Sequence, residues 1–158
     1  MGTERAIGFL NRHLITGEKI GLDTAPLIYY LNRQKPYYET CVELVKRIEF
    51  GRIRAVMSVV TEMELLATGS VQGKRQGVND VEELFRRLRG LQILDVDRTI
   101  ARRAAELRAR TRVKGLDALI VATALTQGCR RVFGNDGEVA RRVTEVDYVT
   151  LDSILEGG

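Results

Sequence analysis

Four acidic residues stand where apolar, strand-like runs give way to a turn or a helix start, or within the first turns of a helix. They are Asp23, Glu64, Asp117 and Asp136. In an open α/β sheet, ligands bind outside the carboxyl ends of the strands, so acids at those ends can meet although they are far apart along the chain. Carboxylate oxygens suit hard cations such as Mg²⁺ or Mn²⁺. The pattern therefore predicts metal-assisted phosphodiester chemistry.

Each acid also has a purely structural interpretation when it is taken alone. Asp23 could cap a helix that begins near Pro26, and Asp117 could cap the helix that follows it. Asp136 lies in an Asn-Asp-Gly turn sequence, and Glu64 could be an ordinary surface residue. Their common placement favours a shared cation, above all because Asp117 opens a nearly all-apolar helix, where an unpaired carboxylate is costly.

The third acidic position has two candidates, Glu62 and Glu64. The helical period predicts a buried face formed by five apolar residues: Val59, Val60, Met63, Leu66 and Ala67. The two glutamates lie on opposite flanks of that face, each roughly 100° from its centre. Periodicity leaves the choice between them open.

Alternating strand and helix patterns predict the elements that must position these acids. The predicted strands cover 19–22, 53–57, 91–94, 131–133 and 148–149. The predicted helices cover 3–15, a segment from Pro26, 38–50, a segment opening at Ser58, 79–89, 98–112 and 117–127, with a loop at 69–77. This alternation is typical of a parallel, three-layer α/β domain.

Length and composition predict a single domain over 1–158, with an N-terminal helical extension at 1–18 and a core at 19–150. No apolar run approaches the ~20 residues needed to cross a bilayer, so we expect a cytoplasmic protein without a membrane partner. The chain holds 25 basic and 21 acidic residues, for a net charge of +4. A basic surface around an acidic pocket fits a nucleic-acid substrate, although arginine-rich helices can equally be solvated faces.

Four segments resemble the PIN-domain nucleases, and most of all the VapC-like toxins of prokaryotic toxin–antitoxin pairs. They lie at 22–27, 58–66, 116–124 and 133–136, and they agree with the family in order and spacing. The resemblance covers roughly 19–150 and implies a three-layer α/β/α fold with a central, mainly parallel sheet. It also implies that Asp23, Glu64, Asp117 and Asp136 are catalytic and hold the metal.

The resemblance prefers Glu64 over Glu62, because the family's acid lies six residues after a strand-end serine and just before Leu-Leu, as here. Thr24, Ser58 and Asn135 would be supporting polar residues. Two features depart from the family. Gly134 stands where the family often has threonine or serine, and the helix over 3–15 precedes the usual start.

The activity implied by the resemblance is hydrolysis of RNA phosphodiester bonds with Mg²⁺ or Mn²⁺, leaving a 5′-phosphate and a 3′-hydroxyl. The single histidine, His13, rules out a metal-free ribonuclease built on a histidine pair. Among the basic residues, Lys114 lies close enough in sequence to the site to predict an RNA contact. A cognate antitoxin and a homodimer are further expectations from the family.

Other functions remain open from the sequence. A PIN ribonuclease of RNA maturation that is not a toxin would have the same site. A phosphoacceptor receiver domain also carries an acidic Mg²⁺ pocket, but it requires an acidic pair after the first strand, where this chain has Asp23 followed by Thr24. A non-catalytic interaction domain would leave the four acids unexplained.

Overall fold

Short apolar runs form a five-stranded parallel sheet in the computed structural model, which describes residues 2–71 and 75–157. The strands are β1 (Lys19–Leu22), β2 (Arg54–Ser58), β3 (Leu91–Leu94), β4 (Arg131–Gly134) and β5 (Asp147–Thr150). Their order is β3-β2-β1-β4-β5, and every neighbouring pair is parallel. The predicted fold is confirmed. A receiver domain places its third strand beside the first, so the β1–β4 pairing excludes that alternative.

Helices cover both faces of the sheet, as parallel strands require. They are α1 (Gly2–His13), α2 (Thr24–Leu31), α3 (Tyr38–Glu49), α4 (Val59–Val71), α5 (Arg75–Arg87), α6 (Arg98–Thr111), α7 (Gly115–Thr126), α8 (Gly137–Arg142) and α9 (Leu151–Glu156). Within the described ranges, no helix is long and apolar enough to cross a membrane.

The alternation of side chains along the strands divides the core into two clusters. In β2, Ala55 and Met57 face a cluster that includes residues of α1, α3, α5 and α9. Val56 faces the opposite cluster, which includes residues of α6, α7 and α8. A buried free cysteine lies in each cluster, and burial raises the pKa of the Cys41 thiol to about 12 and that of the Cys129 thiol to about 11.

Gly21 brings the most apolar helix, α7, close to the sheet. A Cβ at this position would lie 2.7 Å from the Cβ of Ala124 and 2.9 Å from Cγ2 of Val132. A side chain on Gly21 would therefore push α7 away from β1 and β4. Since α7 carries Asp117, this close approach helps to place an acid of the site.

Several boundaries differ from the sequence predictions. The predicted loop at 69–77 is helical at 69–71 and 75–77, because α4 extends to Val71 and α5 begins at Arg75; residues 72–74 lie outside the described part. Gly115 begins α7, two residues ahead of the predicted start at 117, and Ser58 ends β2 instead of opening α4. The six-residue helices α8 and α9 escaped prediction because they are too short for a helical period to show.

The N-terminal helix contributes to the first core cluster. Ala6 and Leu10 of α1 have no exposed surface and Leu14, just beyond its end, is also buried. Contacts link α1 to α3 and α9, so the first and last helices of the chain meet on one face of the sheet. His13 is exposed at the end of α1, where its ring lies 4.3 Å from that of Phe9 between centroids.

Candidate active site and metal centre

The order of the strands reverses between β1 and β4, because β2 and β3 are added on one side of β1 whereas β4 and β5 lie on the other side. Two of the predicted acids lie at this point. Asp23 follows the last residue of β1, and its backbone N–H donates to the carbonyl of Phe133 in β4 at 2.9 Å. Asp136 comes two residues after the end of β4. A crevice outside the carboxyl ends of strands at such a switch point is the usual ligand site of an open α/β sheet.

Asp23 is partly buried and accepts hydrogen bonds through both carboxylate oxygens. Its Oδ1 accepts the N–H of Thr24 at 2.6 Å and thereby caps α2, and its Oδ2 accepts the hydroxyl of Tyr148 at 2.5 Å. Burial raises the pKa of Asp23, the two hydrogen bonds counteract this, and the charge of Asp136 raises the pKa further. The carboxylate is thus held in one orientation in an environment that penalises its charge.

Tyr148 keeps its proton in this setting. Burial first, and then the charge of Asp23, raise the pKa of the Tyr148 phenol far above its ordinary value. The protonated hydroxyl is therefore the donor to Asp23 in this hydrogen bond.

A hydrogen bond from Thr24 holds Glu64 at the site. The Thr24 hydroxyl donates to Oε1 of Glu64 at 2.8 Å, and the buried hydroxyl of Thr61 lies 3.5 Å from that of Thr24. Glu64 also raises the pKa of Asp117 by its charge. Periodicity left Glu62 and Glu64 undecided; these contacts place Glu64 beside the other acids.

The predicted buried face of α4 is wrong at two of its five positions, although Val60 is buried and Leu66 packs against the core as predicted. Met63 is 51% exposed and Ala67 is also exposed, whereas Thr61 and Leu65 are fully buried. The helix is turned so that a threonine faces inward, and a pattern that counts apolar residues misses such a rotation. This turn is what carries Glu64 toward Thr24.

Asp117 is the acid most strongly affected by the others. It is the third residue of α7, whose N-cap position is Lys114, so the capping interpretation of Asp117 is wrong. Burial and the charges of Asp23, Asp136 and Glu64, in that order, raise the pKa of Asp117 to about 6, while Lys114 lowers it. Carboxylates separated by up to 113 positions in the chain therefore share one negative field.

Asp136 has a structural role in addition to its place among the acids. Its Oδ1 accepts the N–H groups of Glu138 at 2.9 Å and Val139 at 3.1 Å, which caps α8. The turn interpretation of this residue is thus replaced by a helix cap. Asp136 and Asp23 both begin helices that start at the carboxyl end of the sheet.

A cavity of about 210 Å³ opens beside Asp117 and Asp136. Lys114 and Arg112 line it together with these acids, so cationic and anionic groups meet at its wall. The sequence analysis identified Lys114 but missed Arg112, which ends α6 in the left-handed conformation with φ 60°. That backbone turn places Arg112 at the cavity, and the sequence carries no clear signal for it in an arginine-rich helix.

The predicted supporting residues act through the backbone and neighbouring side chains. The buried Ser58 accepts the N–H of Val60 at 3.1 Å and fixes the start of α4. Asn135 accepts the N–H of Asp152 at 3.0 Å and donates to the Tyr29 hydroxyl at 3.4 Å. These bonds hold the segments from which Glu64 and Asp136 project.

The donor set fits a hard divalent cation in its chemistry. All four acids offer carboxylate oxygens, and burial together with the charges of the other three raises the pKa of Asp117, while Lys114 offsets only part of this effect. Within the described ranges, no three acidic, histidine or cysteine side chains already stand in a coordinating arrangement. Asp23, Glu64 and Asp136 each accept hydrogen bonds from the protein instead, as expected for carboxylates that repel one another.

Comparison with known proteins agrees with this architecture. A family described as "PIN domain" matches residues 20–145. No curated protein sequence matches the chain significantly.

Solved structures with the same fold include proteins of toxin–antitoxin systems. VapBC2 from Rickettsia felis, bound to a DNA fragment from its promoter, is 19% identical with a TM-score of 0.65, covering 84% of this chain and 98% of that one. A toxin–antitoxin complex from Klebsiella pneumoniae is 19% identical with a TM-score of 0.64, covering 84% and 97%. VapC20 of Mycobacterium tuberculosis, a toxin that cleaves the Sarcin-Ricin loop, is 17% identical with a TM-score of 0.62, covering 80% and 98%. At these identities the likeness establishes a common fold.

Proposed function

Because this chain belongs to the PIN domain family, we propose that it is a metal-dependent endoribonuclease and the toxin of a toxin–antitoxin pair. One observation carries the proposal above the others: the fold gathers Asp23, Glu64, Asp117 and Asp136 at the carboxyl ends of the strands, where burial and the charges of the other three raise the pKa of Asp117. A fold that gathers such charges at the switch point of its sheet stores an unfavourable interaction, which a divalent cation relieves.

Asp23, Asp117, Glu64 and Asp136 would hold the cation, some of them through water. Bound Mg²⁺ or Mn²⁺ supplies activation of a water for attack on phosphorus and neutralises charge that grows on the phosphate. The chain's own residues prepare this arrangement: Thr24 orients Glu64, and the N–H of Thr24 with the Tyr148 hydroxyl fixes Asp23.

Cations at the cavity wall suit a polyanionic substrate. Lys114 and Arg112 line the same cavity as Asp117 and Asp136, so a phosphate held by the first pair lies next to the acids. Basic groups of this kind supply most of the affinity for a nucleic-acid backbone. A cellular RNA substrate implies that the protein works in the cytoplasm.

RNA cleavage in the presence of Mg²⁺, Mn²⁺ or EDTA tests the nuclease proposal. We expect divalent-dependent cutting with 5′-phosphate ends, reduced at least about 100-fold in Asp117→Asn because removal of a metal-site carboxylate abolishes the chemistry. Asp80→Asn is the matched control, since Asp80 is exposed on α5 and lines a different cavity. Cutting that persists in EDTA, or equal cutting by wild type and Asp117→Asn, would refute the proposal.

The toxin role is supported by the fold shared with the VapBC and toxin–antitoxin structures. An antitoxin segment with basic side chains would complement the acidic site and block it. Expression of the wild type alone should arrest growth of a bacterial host, and Asp117→Asn should not. Cleavage in vitro without growth arrest would favour a ribonuclease of RNA maturation over a toxin. Size-exclusion chromatography with light scattering tests the expected homodimer.

A further inference from the structure

Tyr148 reaches the site from the edge strand of the sheet. It pairs in register with Val132 of β4, and its side chain is 7% exposed. Gly134 lies two residues further along β4, and the Tyr148 ring leans over it, so that the hydroxyl donates to Oδ2 of Asp23 at 2.5 Å. A residue of β5 therefore contacts the acid that follows β1, across the intervening strand.

Gly134 provides the space for this contact. A Cβ at position 134 would lie 2.0 Å from the Tyr148 hydroxyl, 2.5 Å from Cζ of the same ring and 3.0 Å from the Cβ of Asp23. Gly134 lies within β4 and its φ is not in the left-handed region, so any residue could adopt its backbone conformation. The glycine serves to admit the phenol.

The contact leaves Asp23 able to bind a cation. An ionised carboxylate has about four lone-pair positions on its two oxygens. The N–H of Thr24 occupies one position on Oδ1, and the Tyr148 hydroxyl occupies one on Oδ2. One position on each oxygen stays available, and the two bonds together fix the rotation of the carboxylate about its Cβ–Cγ bond.

We propose that Tyr148 is a positioning residue of the metal site: its hydroxyl holds the Asp23 carboxylate in the orientation that binds the divalent ion, and Gly134 is required to admit it. This inference rests on the proposed metal-dependent activity. Partners that orient metal ligands are worth about 10- to 100-fold in metal affinity or activity, and the Tyr148 hydroxyl would act in this way through its hydrogen bond to Asp23.

Tyr148→Phe tests the proposal because it removes the hydroxyl and keeps the ring in the second core cluster. Isothermal titration of the purified protein with Mn²⁺ measures affinity without reference to RNA. We expect an affinity about 10-fold weaker than that of the wild type, with half-maximal RNA cleavage at a correspondingly higher Mn²⁺ concentration. Tyr38→Phe is the matched control, since Tyr38 lies with Tyr30, Arg33 and Asp80 around a separate cavity.

Gly134→Ala tests the same contact from the opposite side. A methyl group there must displace the phenol, so we expect Mn²⁺ affinity to fall to a similar degree as in Tyr148→Phe. A crystal structure of the Mn²⁺-bound wild type is decisive even if a variant fails to fold. The proposal requires the Tyr148 hydroxyl within hydrogen-bond distance of Asp23 there, and a hydroxyl turned away overturns it.

The possible outcomes separate this inference from the proposed function. A wild type that binds Mn²⁺ and cuts RNA, together with a Tyr148→Phe variant of equal Mn²⁺ affinity, overturns the role of Tyr148 and leaves the nuclease intact. A wild type that neither binds Mn²⁺ nor cuts RNA refutes both. Loss of thermal stability in Tyr148→Phe with unchanged Mn²⁺ affinity at low temperature would indicate a structural role only, which contradicts the proposal.

Discussion

At the scale of single residues, two of the acids both cap a helix and add negative charge to the site, whereas a third only adds charge. Asp23 and Asp136 cap helices while they contribute negative charge to the site. Asp117 caps nothing and carries the repulsion of the other three. Asp117 is the acid whose pKa is raised by all three of the others in addition to burial, which makes this residue the most direct probe of the electrostatics.

Asp117→Asn should stabilise the metal-free protein at pH 7. The folded pKa of about 6 lies above the ordinary value of 3.8 for an aspartate, so the folded state binds more protons between these values. Stability then falls as the pH rises from about 4 to 6 and stays low above that range. The variant lacks this penalty, and each 1 kcal/mol relieved raises Tm by roughly 2–4 °C in a domain of this size.

Thermal unfolding at pH 4 and pH 7 in EDTA checks this expectation. The Tm advantage of Asp117→Asn should shrink at pH 4, where the folded wild-type carboxyl is almost fully protonated and no longer carries the charge that the other acids repel. Added Mg²⁺ should raise the Tm of the wild type more than that of the variant, because a ligand stabilises the state that binds it. A variant less stable than the wild type at pH 7 would contradict the repulsion inferred for Asp117.

At the scale of elements, the rotation of α4 and the close packing of α7 bring their acids to the site. Thr61 faces inward on α4 and Met63 faces outward, which is the reverse of what a count of apolar residues predicts. Gly21 sets the distance between α7 and the sheet. A different rotation of α4 would move Glu64, and a larger distance between α7 and the sheet would move Asp117, although neither acid itself would be altered.

Glu64→Gln and Glu62→Gln form a matched pair for the rotation of α4. The two substitutions are chemically identical and two residues apart, but only Glu64 accepts the Thr24 hydroxyl. We expect Glu64→Gln to lower kcat of RNA cleavage at least about 10-fold, in the range for loss of a catalytic or metal-site carboxylate. Glu62→Gln should stay within about 2-fold, the behaviour of a surface substitution. Equal losses would show that α4 is turned differently.

Gly21→Ala should destabilise the fold through α7. The new methyl group would lie 2.7 Å from the Cβ of Ala124, and overpacking of this kind costs typically about 1–3 kcal/mol. Urea unfolding should give a lower midpoint with an unchanged slope. Gly128→Ala probes a different constraint, since nothing lies within 4 Å of its Cβ and the strain there comes from a φ of +72°. Unchanged stability in Gly21→Ala would mean that α7 can shift freely.

The sequence predicted the strands well because each is a short apolar run bounded by turn residues. It also identified Asp23, Asp117 and Asp136 from their positions at strand ends and a helix start. The inward face of α4 could not be predicted, because a buried threonine reads as polar. Tyr148 was missed because β5 lies far along the chain from Asp23. The one related signal was Gly134, a glycine where the family often has threonine or serine, and the structure shows a phenol from the next strand in the space beside it.

At the scale of the whole molecule, a basic chain carries a cluster of acids at one edge of its sheet. The chain has a net charge of +4 although its acids converge at the switch point of the sheet. Lys114 and Arg112 stand at the wall of the cavity that contains two of those acids. A polyanion that enters this cavity meets cations and carboxylates side by side, which suits a metal-assisted nuclease.

Lys114→Gln and Arg112→Gln should weaken RNA binding more than they slow the chemistry. Each removes one phosphate contact, which lowers the magnitude of the slope of log affinity against log salt by roughly 0.7 for a single strand. We expect a higher KM with kcat little changed, measured at several salt concentrations. Arg102→Gln, on an exposed position of α6, is the control for general loss of positive charge. An unchanged salt slope in both cavity variants would exclude them from the RNA path.

The two helix caps at the site also govern how an inactive form of the protein should be chosen for trapping an uncut RNA or a bound antitoxin. Replacement of Asp23 or Asp136 by alanine removes a cap as well as a charge, at a cost of about 0.5–2 kcal/mol each. With such a variant, loss of catalysis could not be separated from loss of fold stability. Asp117→Asn keeps both helix caps and removes a charge that the other acids repel, so it is the better choice for capturing complexes.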